Sequence, residues 1–300
     1  MIGFDSILNI LEAANYKKKL PHAIIISGQS GIGKFTFTKK YILEKILETT
    51  KEEHPDLLII KKNDDKKDIN VDKIREISTF IKQTSVNSNK KIILIDSCEN
   101  LNRSASNALL KILEEPNYNN YIFLTCNKIS QIIPTIKSRC QIFKIKRPEF
   151  DDFCIIFNKK RPSFLPKITQ DDLFIISEIC DLSPGTAISH GEDLLELYKE
   201  FLTIISDPKL SEDFIKKISD KKFDITFLQR VITYLIYKIL LNKPIIFSQE
   251  NEAFNKIKNK NSLDNLILLQ SDINKEFNLV SSLYLDKKLF VLNLINKLSN

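Results

Sequence analysis

This chain of 300 residues has no tryptophan, one methionine and only six glycines. Its five cysteines are odd in number and widely spaced, and no two of them have the C-x-x-C spacing of zinc sites. The three histidines do not cluster with them. We therefore expect neither a disulfide framework nor a zinc ion, and interpret the cysteines as small buried thiols in a reducing compartment.

The sequence also lacks the roughly 18 consecutive apolar residues that a membrane-spanning helix needs. The first five residues show no charged region followed by an apolar stretch, as a secretory signal would. With 43% hydrophobic and 28% charged residues, the composition is that of a globular protein. We expect a cytoplasmic protein of two or three domains that does not contact a membrane.

Arginine is scarce among the 45 basic residues, although the net charge is +7. A mildly basic protein is compatible with work near nucleic acid, but lysine-rich stretches are usually only solvated surfaces. An arginine within a motif carries more information, because its planar guanidinium can contact phosphate through two hydrogen bonds. The arginines are Arg75, Arg103, Arg139, Arg147, Arg161 and Arg230.

The first half of the chain alternates short β-branched runs with segments of helical periodicity, which predicts a mostly parallel sheet flanked by helices. The predicted strands are residues 23–27, 57–60, 91–96, 121–126 and 141–145. The predicted helices include residues 35–48 and the segments around Ile74 and Leu109. The predicted fold class is therefore α/β in this half.

Beyond Arg147 and Pro148 the strand pattern fades, and the chain is predicted to be mainly helical. We divide it into an α/β domain at residues 1–148, a small helical domain at 149–197 and an all-α domain at 198–300. The apolar stripes of the last hundred residues are typical of a core or a subunit interface rather than of a cofactor site.

A phosphate-binding loop is predicted at residues 28–34, between a strand and a helix. Its sequence is Gly28-Gln29-Ser30-Gly31-Ile32-Gly33-Lys34, which fits the pattern G-x-x-x-x-G-K. In such loops the backbone N–H groups and the helix N-terminus face phosphate oxygens, and the lysine reaches the outer phosphates. The next residue is usually a serine or threonine that binds Mg²⁺, but here it is Phe35, with Thr36 one position too late.

A second candidate for the metal side of such a site is Asp96, at the end of a strongly apolar strand. In many phosphate-loop ATPases, the residue that activates water is a glutamate directly after this aspartate. Here that residue is Ser97, and Glu99 follows two residues later. A serine hydroxyl is no general base at neutral pH unless it is activated.

Several of these motifs together resemble the clamp-loader AAA+ proteins of bacterial DNA polymerase III, in their order and spacing. The resemblance covers roughly residues 1–190 and is strongest to the delta-prime type of subunit. It implies an AAA+ domain, a helical lid domain and a helical collar domain. The motifs are His22-Ala23, the loop at 28–34, His54-Pro55-Asp56, Ile95-Asp96, residues 107–116 (Asn-Ala-Leu-Leu-Lys-Ile-Leu-Glu-Glu-Pro) and Ser138-Arg139-Cys140.

The resemblance implies that Arg139 acts as an arginine finger, which stabilises the transferring phosphoryl group in the ATP site of an adjacent subunit. It also implies that Asn127 stands at the first sensor position. Gly185 stands where active subunits carry an arginine on their own nucleotide. With Phe35 and Ser97, three parts of a hydrolytic site are replaced, so we expect ATP with Mg²⁺ to be bound at most without hydrolysis. Relatives carry a four-cysteine zinc module before His54, and residues 41–53 contain no cysteine.

The implied partners are the gamma/tau-like and delta-like clamp-loader subunits, and through them the sliding clamp and primed DNA. Two alternatives remain at this stage. The chain could itself be an ATP-hydrolysing gamma/tau-type motor subunit, a hypothesis that Phe35, Ser97 and Gly185 disfavour. It could also be an unrelated P-loop kinase or small NTPase, but that would leave the Ser-Arg-Cys motif unexplained.

Overall fold

A computed structural model describes residues 3–63, 68–86, 89–116, 118–161, 168–220, 222–283 and 286–299. The chain folds into two compact units. The first contains residues 1–156 with 183–185, and the second contains residues 157–182 and 186–300. The proposed division of the helical part into a lid and a collar stays a prediction.

The first unit contains a five-stranded parallel sheet with the strand order β2-β3-β4-β1-β5. This confirms the predicted α/β class, and each predicted strand is present within one residue of its predicted bounds. The strands are β1 (Ala23–Ser27), β2 (Leu57–Ile60), β3 (Lys91–Ile95), β4 (Asn120–Cys126) and β5 (Gln141–Lys144).

A helix lies between each strand and the next along the chain, as expected for parallel connections, and two further helices precede the first strand and follow the last. The helix after the phosphate loop ends as an α-helix earlier than predicted and continues as one π-helical turn at Ile42–Ile46. The helices are α1 (Asp5–Tyr16), α2 (Lys34–Tyr41), α3 (Val71–Lys82), α4 (Arg103–Glu114), α5 (Pro134–Lys137) and the start of α6 (Phe150–Lys160).

The central strands are buried on both faces, because alternate side chains enter two separate apolar clusters. On β1, Ile24 and Ile26 join the cluster with α1 and α2, whereas Ile25 joins the one with α3 and α4. Because β1, β3 and β4 are parallel neighbours, their carboxyl ends meet at one edge of the sheet, where ligands bind in open α/β folds.

The motif His54-Pro55-Asp56 stabilises the sheet through a buried ion pair. Asp56 is fully buried and its Oδ1 lies 3.1 Å from Nζ of Lys91, the first residue of β3. The same oxygen accepts a hydrogen bond from the backbone N–H of Val86 at 3.0 Å. This pair explains why a carboxylate directly precedes β2.

The second unit is helical, as the sequence predicts. A fully buried pair joins two of its helices: Nζ of Lys238 lies 2.7 and 2.8 Å from the two oxygens of Glu250. No helix of the described part of the chain is long and apolar enough to cross a membrane. Beyond the unit boundary in α6 the helices are α7 (Gln170–Ile179), α8 (Pro184–Ser206), α9 (Ser211–Ser219), α10 (Ile225–Leu240), α11 (Ser248–Lys260), α12 (Leu263–Leu283) and α13 (Lys287–Ser299).

Candidate functional site: a closed phosphate loop and an exposed arginine

The phosphate loop connects β1 to α2, and its glycines are required by geometry. Gly31 and Gly33 have φ angles of 77° and 91°, which favour glycine. A Cβ on Gly28 would lie 2.7 Å from Cδ1 of Ile32 and 3.1 Å from Cβ of Ile145. The loop therefore has the backbone form that its sequence predicts.

Lys34 is the first residue of α2, and its ammonium group is already bonded within the protein. Nζ donates to the carbonyl oxygen of Gln29 and to Oδ1 of Asn127, both at 2.7 Å. The side chain is only 6% exposed, and this burial lowers the pKa of Lys34, although the charge of Glu99 opposes the shift. The lysine thus points to Asn127, and two of its three N–H donors are bonded within the protein.

Glu99 completes this chain of contacts, a role that its distance from Asp96 in the sequence did not reveal. Its Oε1 accepts hydrogen bonds from the backbone N–H and from Nδ2 of Asn127, at 3.1 and 2.6 Å. Its Oε2 is buried and has no hydrogen-bond partner within the described residues. Glu99 therefore orients the amide of Asn127 so that its oxygen faces Lys34.

Asp96 follows β3 and is held by a residue of the neighbouring strand. The hydroxyl of Thr125 on β4 donates to Oδ1 of Asp96 at 2.6 Å and accepts from the N–H of Ser97 at 3.0 Å. Ser97 has a left-handed φ of 55°. The predicted acidic residue is thus at the expected edge of the sheet, and Thr125 is a site residue that the strand pattern did not single out.

Phe35 brings an aromatic ring to the position of the usual metal-binding hydroxyl. Nζ of Lys61 lies 3.7 Å from the centroid of this ring, a cation–π contact. Thr36, one residue later, is exposed on α2. One residue turns a helix by about 100°, so the Thr36 hydroxyl does not replace the missing one. The side chains at these positions do not fit a magnesium site.

The segment Ser183–Gly185, which belongs to the same unit, lies directly on the phosphate loop. The Ser183 hydroxyl donates to the carbonyl oxygen of Ser30, and the N–H of Gly185 donates to that of Gly31, both at 2.8 Å. A Cβ on Gly185 would lie 2.5 Å from the Gly31 oxygen. A side chain at Gly185 would therefore clash with the backbone of the phosphate loop, so this approach requires glycine.

Arg139 follows α5 and makes its contacts with α4 and α5. Its Nη2 donates to Oε1 of Glu114 at 2.7 Å. Its Nη1 donates to the carbonyl oxygen of Thr135 at 3.1 Å and to Oγ of Ser138 at 3.4 Å. The side chain is 35% exposed. The phosphate loop is therefore where Lys34, Asn127 and Gly185 come together. The described contacts of Arg139 are instead with α4, α5 and the residue after α5.

The cysteines show no metal-binding arrangement. Cys98 and Cys126 are buried beside the site, and burial raises the pKa of the Cys140 thiol to about 12. Within the described ranges no three His, Cys, Asp or Glu residues are grouped so that they could hold a metal ion.

Comparison with known families finds similarity over the first 149 residues. Residues 4–149 match the family described as DNA polymerase III, delta subunit. Over 135 residues the chain is 30% identical to the DNA polymerase III subunit delta' of Pseudomonas aeruginosa, a match covering 40% of this chain and 41% of that protein. The corresponding protein of Buchnera aphidicola is 35% identical over 152 residues, covering 44% and 45%. The matched segments thus span less than half the length of these relatives.

A longer match extends into the helical half. The chain is 29% identical to the gamma/tau subunit of Mycoplasma genitalium over 253 residues, which covers 77% of this chain and 40% of that protein. A Thermotoga maritima protein related to the DNA polymerase III gamma subunit has a similar structure, with a TM-score of 0.52 at 18% identity and coverage of 98% and 97%. This likeness supports the fold described above, a parallel sheet with flanking helices followed by a helical unit.

Proposed function

We propose that this chain, whose residues 4–149 match the family described as DNA polymerase III, delta subunit, is a delta-prime-like clamp-loader subunit that helps to load the sliding clamp on primed DNA. Its contribution to catalysis is Arg139, which it supplies to the ATP site of a neighbouring subunit. The observation that carries this proposal is the contrast between a closed phosphate loop and a guanidinium that keeps unused donors. The subunit works in the cytoplasm and contains no zinc.

The contacts of the phosphate loop support the view that the chain does not hydrolyse ATP. Lys34 donates to Gln29 and Asn127, and the segment at Gly185 covers the carbonyl of Gly31. A bound nucleotide would have to displace the two acceptors of Lys34, and the side chain of Phe35 offers no oxygen to a magnesium ion. Any ATP that the loop holds therefore stays unhydrolysed.

The proposed role of Arg139 requires a neighbouring ATP site in which one positive charge near the γ-phosphate is missing. A guanidinium placed on the γ-phosphate of a neighbour stabilises the charge that spreads over the equatorial oxygens in the transition state, and this accelerates hydrolysis by roughly 10³–10⁵-fold. Arg139 has five N–H donors of which its three described contacts occupy three, so two remain for phosphate oxygens.

The proposed partners are gamma/tau-like ATPase subunits and a delta-like subunit, with the sliding clamp and primed DNA bound by the complex. The helical second unit is proposed to form the collar that holds the subunits together. Its exposed apolar side chains, which include Leu263, Ile267 and Leu268, are compatible with this role.

The test is reconstitution of the complex from its subunits, with wild-type chain or with Arg139→Ala. We expect the variant to assemble normally and the complex to lose most of its clamp- and DNA-stimulated ATPase. Assembly is checked by size-exclusion chromatography, so that a lost subunit is not mistaken for lost chemistry. An unchanged ATPase rate would contradict the arginine-finger assignment.

A second candidate function, an active motor subunit, is favoured by the length of the match to the gamma/tau subunit of Mycoplasma genitalium. ATP turnover by the isolated chain that Lys34→Ala abolishes would support it. We expect no such turnover, since Phe35, Ser97 and Gly185 replace three parts of a hydrolytic site.

A further inference from the structure

The guanidinium of Arg139 is oriented by a carboxylate from a distant part of the sequence. Oε1 of Glu114, the last residue of α4, lies 2.7 Å from Nη2. The carbonyl of Thr135 and the hydroxyl of Ser138 hold Nη1 from the other side. These three acceptors lie on or next to α4 and α5. Together they fix where the guanidinium of Arg139 points and how its plane is turned.

The position of Glu114 is unusual for a carboxylate. The C-terminus of a helix carries partial negative charge, which favours lysine or arginine and disfavours glutamate. The same last turn of α4 contains Lys111, as this preference predicts. Glu114 therefore has a local electrostatic cost that its contact with Arg139 offsets.

The exposure of the pair argues against a role in stability alone. The side chains of Arg139 and Glu114 are 35% and 48% exposed, and ion pairs at such positions contribute little to folding. The contact does have a geometric effect, because a long arginine side chain without it would sample many rotamers. Ordering that side chain in advance removes an entropic cost from the transition state.

We infer that Glu114 is a positioning residue, which holds the guanidinium of Arg139 ready for the phosphate of a neighbouring subunit. This inference rests on the proposed function. The carboxylate stays bound to Nη2 while the remaining donors face the phosphate, so Glu114 touches neither the nucleotide nor the attacking water. It acts only through Arg139.

The test is a double-mutant cycle in the reconstituted complex, with Mg-ATP, the sliding clamp and primed DNA. The quantity followed is the Arg139-dependent rate, which is the ATPase kcat of wild type minus that of Arg139→Ala. We expect Glu114→Ala to reduce this rate about tenfold, an effect typical of a misplaced reacting group. Glu114→Gln, which keeps an acceptor oxygen, should restore part of it, and KM for ATP should not change.

In the Arg139→Ala background, Glu114→Ala should have no further effect. The matched control is Glu115→Ala, which removes an exposed glutamate at the next position and should leave the rate within about twofold. Thermal unfolding of each variant checks that the chain is folded.

The possible results distinguish a failure of the positioning role of Glu114 from a failure of the proposed function. If Arg139→Ala leaves the ATPase unchanged, the proposed function fails. If Arg139→Ala lowers the rate but Glu114→Ala does not, or if the two effects multiply independently, only the positioning role of Glu114 is overturned. A faster rate in Glu114→Ala would likewise overturn it, because the carboxylate would then compete with phosphate.

Discussion

The phosphate-loop edge of the sheet and the surface around Arg139 belong to one compact unit but differ in how their polar groups are used. At the loop, Lys34 and the carbonyls of Ser30 and Gly31 are bonded to other parts of the same chain. Around Arg139, three acceptors orient a guanidinium whose side chain is still 35% exposed. Lys34 thus has two of its three N–H donors bonded within the protein, while Arg139 keeps two of its five on a partly exposed side chain.

The largest effect is expected for Arg139→Lys, which keeps the positive charge at this position. Lysine cannot reproduce the planar guanidinium or its paired hydrogen bonds, so we expect the Arg139-dependent ATPase rate of the complex to fall about 100-fold. Steady-state ATPase assays of the assembled complex measure it. A lysine variant as active as wild type would mean that only charge matters at this position.

On the loop side, Gly185→Ala should reduce the free energy of unfolding by about 2 kcal/mol, because the new Cβ meets a backbone oxygen that cannot move away cheaply. Urea denaturation of the isolated chain measures this. The matched control is Gly191→Ala in the same helix, where the nearest atom, Cγ2 of Ile176 at 2.9 Å, belongs to a side chain. Equal effects of the two substitutions would show that the contact with Gly31 does not constrain the loop.

A smaller effect is expected for Thr125→Val, which removes the hydroxyl between Asp96 and Ser97. The half-buried carboxylate of Asp96 and the N–H of Ser97 each lose a partner, so we expect a loss of about 1.5 kcal/mol in unfolding free energy. Thr125→Ser should recover most of this loss because it keeps the hydroxyl. The ATPase of the complex should change little in either variant, and a large drop would mean that Asp96 still serves catalysis.

The smallest effect is expected for Phe35→Ser, which places a hydroxyl where other phosphate loops bind Mg²⁺. Since Ser97, Gly185 and the contacts of Lys34 remain, we expect the affinity for Mg-ATP to change less than about threefold. Isothermal titration calorimetry of the isolated chain measures it. ATP hydrolysis by this single variant would show that Phe35 alone keeps the loop inactive.

The sequence predicted the local features of this unit well. Strand bounds follow from short β-branched runs, and the loop at 28–34 follows from glycine spacing, because both depend on neighbours in the chain. The helix after the loop was predicted to run to residue 48, but the structure has one π-helical turn at Ile42–Ile46, which the apolar periodicity does not distinguish from an α-helix.

The contacts that the sequence did not predict join residues that are far apart along the chain. Thr125 contacts Asp96 29 positions away, Glu114 contacts Arg139 25 positions away and Ser183 contacts Ser30 153 positions away. No spacing rule links such positions, since only the packed sheet brings them together. Gly185 shows the same limit: the sequence indicated a missing arginine, whereas the structure shows a close approach of two backbone segments.

The central claim is that this chain acts on a neighbour's nucleotide and not on its own. The most direct measurement compares the clamp- and DNA-stimulated ATPase of complexes containing Lys34→Ala or Arg139→Ala, each verified as assembled. We expect Lys34→Ala to keep the wild-type rate within about twofold and Arg139→Ala to remove most of it. The reverse pattern, with activity lost in Lys34→Ala and kept in Arg139→Ala, would contradict the account.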